Sequence, residues 1–263
     1  MAIFRMGTAI SVGRQSLEAL EDMHNIGYLH RDVKPGNYTI GRAEVNELRK
    51  VYVLDFGMAR KFAHEDGTIK KPRNVAGFRG TVKYAPVSCH AGRELCRQDD
   101  CETWLYMLVE ITKGSLPWRN MTEIGQVGQE KRGIRTDPII KKKMFGGCPR
   151  EYLEILETID KGKFFDEPNY ERMYYLLRES MKNTGSTEYP YDWEESLNKK
   201  MKEEQEKKKN GVTEQTQKVI KKKEVELEAG KSLKEVKEKD KEKAKEPEKK
   251  VEKYEDEKKE ELY

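Results

Sequence analysis

The stretch "YLHRDVKPGNYTIG" (residues 28–41), followed at residues 51–60 by "VYVLDFGMAR", decides how this chain is read. Within it, His30-Arg31-Asp32-Val33-Lys34-Pro35-Gly36-Asn37 sets an acid, a cation two places on and an amide five places on. The second stretch adds another acid in Asp55-Phe56-Gly57. Six fixed residues in an eight-residue window arise by chance about once in tens of millions of positions, before the second acid is counted.

The surroundings read as scaffold for these two stretches. "NYTIG" and "KVYVLDF" are rich in β-branched and aromatic residues, and the spacing predicts a short strand pair joined by the polar loop 42–50. Upstream, Ile10, Leu17, Leu20, Met23 and Ile26 recur at three- and four-residue steps. That pattern predicts an amphipathic helix capped by Thr8 or Ser11 and closed near Asn25-Ile26-Gly27, with Gly27 at positive φ. Downstream, "CETWLYMLVEIT" is apolar on most faces, as a buried helix is. "GCPREYLEILETIDKG" and "EPNYERMYYLLRESMKNTG" each carry helical periodicity bounded by Pro and Gly. The expected body is mainly α with one small β-ribbon.

Composition bounds the rest. The chain has 263 residues and a formal net charge of +4. Residues 201–263 hold 20 Lys against 17 Glu and 2 Asp, so the tail carries +1 and the first 200 residues +3. Bulk charge therefore gives a nucleic-acid partner little support. No apolar run approaches the roughly 20 residues that cross a bilayer, so no membrane partner is expected. Cys89, Cys96, Cys101 and Cys148 form no C-x-x-C pair, which speaks against zinc or a disulfide framework and for a reducing cytoplasm or nucleus. The chain divides near Trp193 into an expected domain, 1–195, and a Lys/Glu-rich low-complexity tail, 196–263. The tail has too few apolar residues to offset its ordering entropy, so it is expected to be disordered or transiently helical.

An acid to orient a hydroxyl, a cation near a phosphate, and an amide plus an acid for magnesium are what phosphoryl transfer from ATP needs. With these residues, "KPRNVAGFRGTVKYA" (71–85), "RQDDCETWLYMLVEITKGSLPW" (97–118) and "YDWEE" (191–195), the chain resembles the casein kinase one group of Ser/Thr protein kinases, within it the tau-tubulin kinase branch. The resemblance covers about residues 8–195. It implies a protein-kinase-like fold whose mainly α C-terminal lobe carries the site. It also implies ATP and Mg2+ as cofactors and protein substrates.

Roles follow from the resemblance residue by residue. Asp32 accepts the substrate hydroxyl proton, Lys34 steadies the γ-phosphate, and Thr81 orients both. Asn37 and Asp55 hold magnesium. Thr39 and Leu54 contribute to the adenine floor. His30 and Arg31 are structural, and Asp100 at the start of the central helix holds the backbone of their loop. Arg73, Arg79 and Lys83 match or adjoin an anion-binding patch, which implies acidic or already phosphorylated substrates. A solvated basic loop is the other reading of those three cations. Pro86-Val87-Ser88 stands where the group has Ser-Ile-Asn.

One half of the kinase pattern is not found. No Gly-x-Gly-x-x-Gly loop occurs, and the first helix fills the space before Asp32, where a strand-borne Lys would be sought. A five-stranded lobe with a helix needs roughly 70 residues. The expectation is a kinase large lobe with the N-terminal β-lobe absent, a truncated form that binds ATP weakly alone and self-associates through uncovered apolar surface. The alternatives are a catalytically inactive large-lobe binding or scaffold module, and an interaction protein dominated by its charged tail.

Overall fold

The computed structural model describes residues 4–203 and 221–223. The chain separates into two units, Met1–Asn198 and Lys199–Tyr263, and the elements below belong to the first. The expected disordered or transiently helical tail lies largely outside the described residues.

The core is organised around α3 (Arg97–Lys113), in which every residue from Gln98 to Thr112 is buried. Its Trp104, Leu105 and Leu108 are fully enclosed, each side chain contributing about 1.5–3 kcal/mol by leaving water. Helix α1 (Met6–Asn25) lies against it. Gly13 makes that approach close: a Cβ there would meet Leu108 Cδ1 at 2.6 Å, and the Trp104 indole N–H donates to the Gly13 carbonyl at 2.9 Å. Helices α6 (Glu151–Lys161) and α7 (Tyr170–Asn183) pack on each other, α6 also on α3 and α7 on α1. Helix α4 (Ile124–Thr136) packs on α5 (Pro138–Phe145) and on the short α2 (Val87–His90).

The mainly helical body is as expected, with three differences. Helix α1 begins at Met6 behind Arg5, with no side-chain cap. Thr8 instead donates to Asp192 at 3.1 Å, and Ser11 is buried. The Arg5 backbone also donates to Asp192, at 2.7 Å, so a carboxylate from the end of the domain anchors this terminus. Among the described residues there are two β-ribbons rather than one. β2 (Tyr38–Ile40) and β3 (Val51–Val53) pair antiparallel as predicted. β1 (Tyr28–Leu29) and β4 (Arg60–Lys61) form the second pair, too short for an alternating pattern to mark. Helices α4 and α5 were not anticipated. α4 carries three glycines and buries only Val127, Gly128, Lys131 and Ile134, a thin stripe.

This layout positions the two motif loops. Chain leaving α1 turns at Gly27, passes through β1 and delivers residues 30–37 in front of β2. β3 delivers Asp55 alongside, and the Leu54 N–H donates to the Asn37 carbonyl at 2.7 Å.

Candidate active site

Asp32 is the convergence point. Its Oδ1 accepts the Thr81 backbone N–H at 2.9 Å and the Thr81 hydroxyl at 2.8 Å. Its Oδ2 accepts Lys34 Nζ at 2.6 Å, and the same ammonium lies 3.3 Å from Thr81 Oγ1. Burial by itself would raise the Asp32 carboxyl; the bonds from Lys34 and Thr81 outweigh it and hold the group below the ordinary Asp value. Thr81 reaches this place because Gly80 precedes it at φ +92, where a Cβ would lie 2.6 Å from the Arg31 carbonyl. Both the left-handed backbone and the contact require glycine.

The loop under Asp32 hangs from one buried carboxylate. Asp100, in the first turn of α3, accepts the His30 N–H at 2.7 Å and the Arg31 N–H at 2.8 Å. Its other partner is His24 of α1, at 3.0 Å, and His24 in turn meets the Tyr170 hydroxyl. Burial pushes Asp100 up, and the His24 and backbone bonds more than reverse this, leaving its carboxyl depressed. With its proton on Nε2, the His30 ring donates to the Leu54 carbonyl at 3.3 Å and accepts the Asp32 N–H at 3.3 Å. Arg31 sits at φ +66 and Asp55 at φ +60, a conformation uncommon outside glycine. Asp100 fixes the first, and the Gly57 N–H bonded to Asp55 Oδ1 at 3.1 Å fixes the second.

Asn37 and Asp55 suit a magnesium ion shared with phosphates. The Asn37 amide N–H₂ donates to the Asp32 carbonyl at 2.8 Å, which leaves its Oδ1 to coordinate. Asp55 is exposed and spends only one oxygen on protein. Among the described residues no group of three or more His, Cys, Asp or Glu forms a metal cage. Mg2+ characteristically takes one or two protein oxygens and fills the rest with phosphate and water. Thr39 is exposed and Leu54 is 43% exposed, so both remain accessible. Behind the sheet an apolar cavity of about 260 Å³ is lined by residues that include Tyr38, Ile40, Met107 and Trp193.

The three cations expected as an anion patch are held differently. Arg73 pairs with Glu94, and Lys83 pairs with the buried Glu110. Arg79 is exposed, and its backbone N–H donates to Cys89 Sγ at 3.3 Å. Arg73 and Arg79 are both exposed and Lys83 is partly so, and two of the three spend charge on carboxylates of the same chain. Sequence reasoning also missed His24, Glu94, Glu110 and Lys131. Lys131 on α4 is fully buried and donates to the Val82 and Ala85 carbonyls at 2.8 and 2.6 Å. A lysine in the middle of a thin apolar stripe was the one available signal. The glutamates gave none, since their partners come from distant segments.

Comparison with known proteins bears on this geometry. The protein kinase domain family matches residues 2–165, and the chain belongs to that family. It is 42% identical over 195 residues to the serine/threonine-protein kinase spe-6 of Caenorhabditis elegans, covering 73% of this chain and 51% of that protein. It is 29% identical over 198 residues to casein kinase I homolog 2 of Saccharomyces cerevisiae, covering 72% of this chain and 35% of that one. These relatives agree with the casein-kinase-one resemblance. The chain spans about half the length of the first and about a third of the second.

Proposed function

We propose that this chain forms the phosphoryl-transfer lobe of a Ser/Thr protein kinase of the casein-kinase-one, tau-tubulin-kinase type, moving the γ-phosphoryl group of ATP to a protein Ser or Thr. The observation that carries the reading is the Asp32–Lys34–Thr81 cluster, a depressed carboxylate bonded to an ammonium and a hydroxyl. Asp32, ionised at neutral pH, orients the substrate hydroxyl and takes its proton. Lys34 moves its charge toward the transferring group, and Thr81 keeps Asp32 in place. Bound through Asn37 and Asp55, Mg2+ supplies positive charge on the ATP phosphates. Thr39 and Leu54 present the adenine surface.

Among the described residues no glycine-rich strand pair covers that surface, so nucleotide held by this chain alone is open to water on one face. Mg-ATP binding is therefore weak until a β-lobe is supplied. A preference for acidic or phosphorylated substrates rests on Arg79 and the exposed flank of Lys83. Free cysteines fit a reducing compartment, cytoplasm or nucleus. A second reading, a binding module without turnover, is favoured by the open surface at Leu54 and Phe56, which are 43% and 53% exposed. Casein phosphorylation by the chain fused to a related small lobe separates the two. Turnover that Asp32→Asn lowers about 10²–10⁴-fold supports the kinase; a folded fusion that binds Mg-ATP without turnover supports the module.

A further inference from the structure

A carboxylate outside the Asp32 cluster gathers charge from the activation segment, residues 62–85, and from β4 just before it. Glu94, in the loop before α3, has a side chain only 8% exposed. It accepts Arg60 NH1 at 3.1 Å, from β4 just after the Asp55-Phe56-Gly57 turn. It also accepts Arg73, through Nε and, at 3.2 Å, through NH2. Arg31, next to Asp32, is tied to the same region: its Nε donates to the Met58 carbonyl at 2.7 Å. Burial lowers the Arg31 guanidinium, the Arg60 charge and then the Arg73 charge lower it further, and Glu94 opposes them. Burial would raise Glu94, but its arginines hold it depressed and therefore ionised. Without this anion Arg60 and Arg73 would lose the carboxylate they share, and Arg31 one of the two acids, Glu94 and Asp100, that offset their charge. The segment has no hydroxyl free to take over the role. Of its three, Thr68 donates to Asp66 at 2.6 Å, Thr81 to Asp32 at 2.8 Å, and Tyr84 to Glu110.

We infer that Glu94 is a positioning residue for phosphoryl transfer: an internal counter-anion that gathers Arg60 and Arg73 beside Arg31, so that activation segment, β4 and catalytic loop keep one arrangement. The inference rests on the kinase reading, but its physical content is independent of turnover. Ala76 N–H donates to the Gly92 carbonyl at 2.9 Å, so the segment already leans on the Glu94 loop through its backbone. The charge pairs then fix its side chains. Arg73 and Glu94 also line a cleft of about 800 Å³, giving a small anion access if the carboxylate were removed.

The test is anion rescue in the full chain. In Glu94→Ala, amide hydrogen exchange over residues 71–80 should quicken about tenfold or more, the factor that one lost charged hydrogen bond represents. Inorganic phosphate should then restore protection, whereas chloride at matched ionic strength should not. Calorimetry should detect phosphate binding to Glu94→Ala that is absent from wild type and lost in Glu94→Ala/Arg73→Ala. Glu94→Gln, which keeps the shape and removes the charge, repeats the exchange test if the alanine variant does not fold. Unchanged exchange in the folded variants, or protection restored equally by chloride, overturns the inference. Neither readout uses ATP, so failure here is distinct from failure of Asp32→Asn to abolish phosphorylation.

Discussion

Asp100 shows how much of the site one side chain carries. It is buried, bonds two successive backbone N–H groups of the catalytic loop and meets His24. Asp100→Ala should cost about 3–5 kcal/mol at pH 7, because it strands the groups this buried charge satisfied. Urea titrations of both proteins measure it. The pH dependence has a definite sign. The folded pKa is depressed, so the carboxylate's contribution is complete above the unfolded value near 3.9 and is lost as pH falls through the folded one. The stability gap between wild type and Asp100→Ala should therefore narrow below about pH 4. At this scale, residues 30–37 and 55–57 were legible because their chemistry fixes their spacing. Their supports were legible only through resemblance, or not at all. Asp100 is 70 residues from His30, and His24 hides on the inner face of a helix whose pattern needs only an apolar position there.

Helix α4 is held to the loop beneath the site by Lys131. Three acceptors surround its ammonium: the Val82 and Ala85 carbonyls and, at 3.3 Å, His90 Nε2. Tyr106 and Trp118 face it with their rings, and Glu102, Cys89 and Arg135 act on it through their charges. Burial pushes Lys131 down to about 7, and the nearby charge of Glu102 only partly offsets this. A lysine depressed on folding binds its proton less well in the native than in the unfolded state. Wild-type stability relative to Lys131→Met should therefore rise from about pH 7 to about pH 10, with a slope approaching 1.4 kcal/mol per pH unit. Denaturant titrations across that range check it. A separate contact joins α1 to α3: Gly13→Ala should lose about 1–3 kcal/mol, read from a lowered Tm, because Leu108 is fully enclosed and cannot yield to the new methyl. The long periodic helices α1, α3, α6 and α7 were legible in sequence. α4 was not, because its glycines and single buried charge leave no clear stripe, and β1 and β4 were not, because two residues have no period.

At the scale of the whole first unit, several large apolar side chains stand in solvent. Ile26 is 71% exposed, Phe56 53% and Leu54 43%. Exposed apolar side chains promote association, so the chain should sediment as a concentration-dependent oligomer, and Leu54→Glu/Phe56→Glu should shift it toward monomer in analytical ultracentrifugation. The central claim is that Asp32, Lys34, Thr81, Asn37 and Asp55 form a working phosphoryl-transfer site once nucleotide is covered from above. The most direct measurement is the rate of casein phosphorylation with Mg-ATP by three proteins side by side: the chain alone, the chain fused to a related small lobe, and that fusion carrying Asp32→Asn. The account predicts turnover of about 1–100 s⁻¹ in the fusion, little or none in the chain alone, and a loss of about 10²–10⁴-fold in Asp32→Asn. A folded fusion that binds Mg-ATP yet transfers no phosphate, or turnover indifferent to Asp32→Asn, would contradict it.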